Sequence, residues 1–229
     1  MHQFMNAGTQ DAPLNEKHLA HAIIATIYQW EEPRYHADLR QGGGTTITGS
    51  EETFQWFLGE WRVARNLRKE FHNLVRNYLN TTLRTQLKSN PGNPKIIDDA
   101  AEHIRQQGWS SLINKDARDK KHRLPVSLVS KVGFFICPGE IVPCDSDARN
   151  GLNVLLGQAG KIPTNSSYEE YYQAFQANFK KHRKSIEAEL KKEWVTTLTD
   201  KLLGSLKDLN TLAFKQKVFD NYLLERGRA

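Results

Sequence analysis

Cysteine is nearly absent from this 229-residue chain. Cys137 and Cys144 are the only two, too few for a disulfide framework, a four-cysteine zinc site or an iron–sulfur cluster. A thiol-poor chain points to a reducing, cytoplasmic compartment. Long apolar runs are missing as well. The longest near the start, Ala22 to Tyr28, falls far short of the ~20 residues of a membrane span, and no basic-then-apolar leader precedes it, so neither secretion nor membrane insertion is expected. No alternation of period two persists for more than a few residues, which leaves β-sheet without a signal. There is no fixed-period repeat and no linker rich in proline, glycine or serine. The eight histidines are scattered without His-Glu-x-x-His or a His-x-Glu paired with Cys-x-x-Cys, so no metal and no cofactor is expected.

Helical periodicity is abundant. A chain of this size can bury roughly 70% of its unfolded surface in one core, and the pattern predicts an all-α protein of about seven to ten helices. Residues 1–229 read as one helical domain; a split into two lobes, 1–123 and 124–229, with a cleft between them is compatible with the same pattern. Leu19, Ala22, Ile23, Ile27 and Trp30 mark a first helix ending near Pro33. Gln41 to Gly49, with three consecutive glycines, reads as a mobile loop that lacks the phosphate-loop pattern. Ser50 caps a strong helical stretch carrying Phe54, Phe57, Leu58, Trp61, Leu67, Phe71 and Leu79, one long helix or two, closed by Asn90-Pro-Gly-Asn-Pro. Later helices are predicted over Asp98–Gln107, Leu124–Ile136, from Ser146 or Asp147 to near Gly157, from Ser166 or Ser167 onward, over Lys191–Leu206, and over Asn210–Glu225.

Net charge is +6 and the sequence pI about 9.2, which modestly favours an anionic partner such as nucleic acid. Positive charge concentrates in two places. Arg62, Arg65, Arg68, Lys69 and Arg76 face one side of the long helical stretch, and Lys115 to Arg123 carries Lys120, Lys121 and Arg123 directly ahead of the most informative segment. Either run grips phosphates or is a solvated face.

That segment, Leu124 to Leu152, reads LPVSLVSKVGFFICPGEIVPCDSDARNGL. Lys131 inside an apolar helix is either a nucleophilic amine with a lowered pKa or a buried stem whose head escapes to solvent or pairs with an acid such as Asp145. Asp145 at a helix start stays ionised beside free backbone N–H groups. It is either a cap or a carboxylate that stabilises a developing cation. Arg149, one turn on, holds a phosphate or pairs with Asp145. Trp61, Trp109, Phe134 and Phe135 are candidate walls for a stacked base, though aromatics at helical spacing are also ordinary core. Cys137 and Cys144 read as small apolar packers.

Ser130-Lys131, Phe134-Phe135, Pro138-Gly139-Glu140 and Pro143-Cys144-Asp145-Ser146 followed by Arg149 resemble the core of the helix-hairpin-helix DNA glycosylases, and most closely the divergent glycosylase-like proteins of bacterial anti-phage defence. Val218 to Leu223 resembles the closing helix of those proteins. Val126-Ser127-Leu128 stand where the family hairpin has glycines. The resemblance implies a helical glycosylase-like bundle that hydrolyses the bond between a modified or damaged base and its deoxyribose, for example in phage DNA. It implies a monofunctional mechanism in which Asp145 stabilises an oxocarbenium-like sugar, or a bifunctional one in which Lys131 attacks the anomeric carbon. The partner would be duplex DNA with its target base flipped out. A non-catalytic helical nucleic-acid-binding or regulatory protein on the same scaffold is the alternative, and an all-α interaction module for an acidic partner is a third.

Overall fold

A computed structural model of the chain describes residues 13–112, 124–157, 160–163 and 166–228. The fold is all-α: twelve α-helices and a few single 3₁₀ turns, with two isolated β-bridges and no strand among the described residues. One hydrophobic core runs from Leu14 to Leu223 and draws on both halves of the chain.

The first helix, α1 (Glu16–Glu31), is capped by Asn15, whose side chain accepts from the His18 N–H. Pro33 does end it, but the same proline opens α2 (Pro33–Gln41); a first-turn proline has no N–H to lose and its φ already suits a helix. The glycine run is not a mobile loop. Gly42, Gly43 and Gly44 all have positive φ, and the Gly43 and Gly44 N–H groups donate to the carbonyls of Ile136 and Phe135 at 2.7 and 3.1 Å. A Cβ on Gly42 would stand 2.8 Å from the Ile136 oxygen. The glycines thus bring backbone against the C-terminus of α8 (Val126–Ile136) and satisfy carbonyls that a helix end leaves open. The next residues form α3 (Thr45–Gly49), held by the Asp38 carboxylate, which accepts from the Thr46 and Ile47 N–H groups.

The long basic helical stretch is also interrupted. Ser50 caps α4 (Glu51–Glu60), which stops at Trp61. The Arg62 N–H then donates to Gly59 and the Val63 N–H to Leu58, the two bonds of a Schellman turn, whose C′ residue is left-handed and is most often glycine. Here that residue is Arg62, the only described non-glycine with positive φ, at 52°. Irregular chain follows until α5 (His72–Tyr78), continued through a π turn into α6 (Arg84–Ser89), and then α7 (Lys95–Gln106).

The C-terminal half supplies α8, α9 (Ser146–Leu156), α10 (Tyr168–Leu190) with its Ser167/Glu170 capping box, α11 (Glu193–Leu203) and α12 (Leu212–Arg228). Every residue of α12 from Ala213 to Leu223 is buried, so α12 is the axis against which α1, α9 and α10 are laid. Its contact with α9 is backbone to backbone. A Cβ on Gly151 would fall 1.9 Å from the Leu223 oxygen, and one on Gly227 would fall 1.9 Å from the Asp147 oxygen. This seam sets the N-terminus of α9, and with it Asp145, beside the middle of α12.

Candidate active site

A cleft of about 920 Å³ opens where α1, the C-terminal end of α4, α8, the N-terminus of α9 and α12 meet. Two lysine–aspartate pairs line it. The first is one of the alternatives the sequence left open for Lys131: its Nζ lies 3.1 Å from Asp145 Oδ2 and 3.1 Å from the Trp61 carbonyl oxygen. Asp145 Oδ1 meanwhile accepts from the Ala148 N–H at 2.9 Å. Cap and site carboxylate are therefore the same group, one oxygen closing the α9 N-terminus and the other turned to the lysine. Burial pushes the Asp145 carboxyl up, but Lys131, the Ala148 N–H and Lys217 together outweigh it and hold the group below the usual aspartate range. It is an anion at neutral pH.

The second pair sits on α12. Lys217 Nζ lies 2.5 Å from Asp220 Oδ2 and 3.0 Å from Asn221 Oδ1, and the Asn221 amide donates in turn to Thr26 and Gln29 of α1. Lys217 and Asp220 are each about 2% exposed at the side chain. Asp220 Oδ1 is buried with no hydrogen-bond partner, although Asp220 belongs to the cleft wall. Burial raises its pKa; Lys217 opposes this, Asp145 adds to it, and the net displacement is upward. Asp145 and Asp220, two of the carboxylates lining the cleft, are thus pushed in opposite directions. Sequence reading missed Lys217, Asp220 and Asn221 as site residues. The one sequence mark is their spacing at i, i+3 and i+4, which places them on one helix face, and Lys215 and Gln216 beside them obscure it.

Trp61 is the one candidate aromatic wall that lines this cleft. Its indole N–H donates to the Tyr35 hydroxyl at 2.6 Å, and the Lys217 and Lys131 ammonium groups lie 5.0 and 5.9 Å from the indole ring centroid. Phe134 and Phe135 are fully buried core residues, not walls. Phe135 packs behind Trp61 at 5.2 Å, while Phe134 contacts Trp30. Trp109 packs edge-on against Tyr78 and His103, outside the cleft.

Among the candidate phosphate grips, Arg62 and Arg65 are exposed at the cleft mouth. Arg68 instead pairs with Glu70 and lies over Phe71. Arg149 neither reaches the cleft nor pairs with Asp145. Its guanidinium is buried, donates to Ser166 Oγ and the Pro163 carbonyl, and lies over the Tyr171 ring, because position 149 falls on the face of α9 turned toward α10. Lys120, Lys121 and Arg123 lie outside the described residues. Arg228, at the end of α12, adds a cleft cation and pairs with Asp147. No cluster of three or more histidine, cysteine or acidic side chains suited to a metal ion occurs among the described residues, and no helix there is long and apolar enough to cross a membrane.

The arrangement offers a fixed anion at a helix N-terminus, two buried cations, a second carboxyl group with a free oxygen, and exposed arginines at the entrance. Comparison of the chain with protein-family models, with curated proteins and with solved structures gives no match.

Proposed function

We propose that this protein is a monofunctional DNA glycosylase, removing a modified or damaged base by hydrolysis of its N-glycosidic bond. The observation that carries the reading is the position of Asp145: an ionised carboxylate fixed by α9 and by Lys131, opening onto a cleft large enough for a nucleobase. Cleavage of the glycosidic bond builds positive charge on the sugar, and a carboxylate held in place beforehand stabilises that charge without reorganising. Lys131 supports the hydrolytic route over the covalent one. Its Nζ donates to Asp145 and to the Trp61 carbonyl, and an ammonium so held has no lone pair to offer an anomeric carbon. Arg62 and Arg65, exposed at the cleft mouth, support the reading as cations available to the phosphates of a bound strand.

The test is release of bases from a panel of duplexes and phage genomic DNAs carrying different modifications, with abasic sites revealed by alkali, for wild type and Asp145→Asn. Abasic sites from the wild type alone are expected, with the variant reduced by about 10²- to 10³-fold, the range for removing one preorganised electrostatic group. Activity surviving the substitution unchanged would sink the proposal. DNA binding that falls with salt, with no base released from any substrate, would instead favour the non-catalytic binder.

A further inference from the structure

We infer that the Lys217–Asp220 pair of α12 is the proton donor to the departing base, which makes the substrate a base that leaves as a neutral molecule only after protonation. The inference rests on the glycosylase reading above and assigns it a second acid.

Three observations lead there. The pair lies in the wall of the same cleft as Asp145 yet takes no part in the cap or in the Lys131 contact. A buried ion pair is a poor device for stability, since hydrophobic replacements of similar size often do as well or better. Asp220 adds to that cost by keeping Oδ1 buried and unpartnered, which a native structure rarely tolerates without a use. Finally, the pair is built to share a proton. Lys217 Nζ lies 2.5 Å from Asp220 Oδ2, a direct hydrogen bond along which a proton can pass between the two groups. The groups facing Asp220 are Lys217 on its own helix, Asp145 and Cys144 at the start of α9, Lys131 of α8 and Tyr171 of α10. Burial and the Asp145 anion favour protonation of Asp220 while Lys217 and Lys131 oppose it, and the result is displaced upward. Two carboxyls in one site with their pKa values driven apart is the pattern of an acid and an anionic partner.

The step balances as follows. The C1′–N bond breaks with its electron pair going to the base nitrogen. The pair's shared proton passes to the base, which leaves neutral. Asp145 stabilises the sugar cation until a water oxygen bonds to C1′. That water's proton passes to solvent, and a proton from solvent restores the pair.

The experiment is single-turnover release of the neutral base identified by the panel, followed from pH 5 to pH 10 for wild type and Asp220→Asn, with thermal melting of both. Wild type is expected to lose rate with rising pH as the pair gives up its proton. The variant should be slower by about 10²- to 10⁴-fold, the usual contribution of a positioned acid, and should lack that high-pH limb. A cationic N7-methylated purine needs no proton to leave, so wild type should release it with no high-pH limb. A flat wild-type profile on the neutral base would overturn the inference without any variant. So would equal losses by Asp220→Asn on neutral and cationic bases, or a wild type that releases cationic bases only. Failure of the wild type to release anything would overturn the glycosylase reading itself.

Discussion

Replacing Gly151 by alanine tests how the site is held together. The new Cβ would lie 1.9 Å from the Leu223 oxygen and 2.6 Å from its carbonyl carbon, both backbone atoms of α12 that have no rotamer to change. Ordinary Cβ contact begins at 3.4 Å, so α9 and α12 must separate by roughly 1.5 Å, well beyond what a packed interior absorbs without loss. Overpacking by one methyl costs about 1–3 kcal/mol, and a backbone-to-backbone clash belongs at the upper end. For a chain of this length, about 3 kcal/mol lowers Tm by about 6–12 °C. Gly59→Ala is the internal control. Its added Cβ meets nothing within 4 Å and Gly59 lies in α4, so it should stabilise by about 0.5–1 kcal/mol by restricting the unfolded chain. Differential scanning calorimetry of the two variants reads the difference directly. A Gly151→Ala protein melting within about 2 °C of wild type would refute the close approach of α9 and α12.

Arg62→Gly should stabilise the fold by about 1 kcal/mol, because a left-handed C′ position disfavours every side chain, and under the proposed glycosylase function it should lower the salt dependence of DNA affinity by about one released counterion; chemical denaturation and a binding titration against salt check the two halves. Arg149→Met should do the reverse, costing about 1.5–3 kcal/mol through the lost charge-assisted bonds to Ser166 and Pro163 and leaving the salt slope unchanged. Asp145 titrates below the ordinary aspartate value of 3.8. Its contribution to stability is therefore complete above about pH 4 and is lost as pH falls through the lower folded value. Urea midpoints between pH 5 and pH 2.5 should fall less steeply for Asp145→Asn than for wild type.

What was legible in the sequence was local. Pro143-Cys144-Asp145-Ser146 announced the start of α9, Gly157 its end, and Ser166-Ser167 the start of α10, because each depends on residues within one turn of one another. What misled was also local evidence of the wrong scope. Apolar spacing continues through Leu67 and Phe71 as if one helix ran on, yet α4 ends at Trp61 through a left-handed residue that is an arginine and carries no glycine to announce it. The glycines at 42–44 carry the signature of a free loop, and only the distant carbonyls of Phe135 and Ile136 turn them into a docked turn.

Lys217 and Asp220 were hidden for a different reason. From Ala213 to Leu223 of α12 the charged residues and the apolar ones are alike buried, so amphipathic reasoning has no polar face to find, and a lysine in such a helix looks like a solvated stem. Their meaning comes from packing. Gly151 and Gly227 let α9 sit directly on α12, which brings the cap carboxylate of one helix into the same cleft as the buried pair of the other. Two residues without side chains thereby set the relation between the acids. If the proposed glycosylase function holds, a lost methyl-sized gap at that seam should disturb chemistry before it unfolds the protein, so Gly151→Ala, assayed well below its Tm, should lose more base-release rate than an equally destabilising core truncation such as Leu83→Ala, whose side chain is fully buried and does not line the cleft.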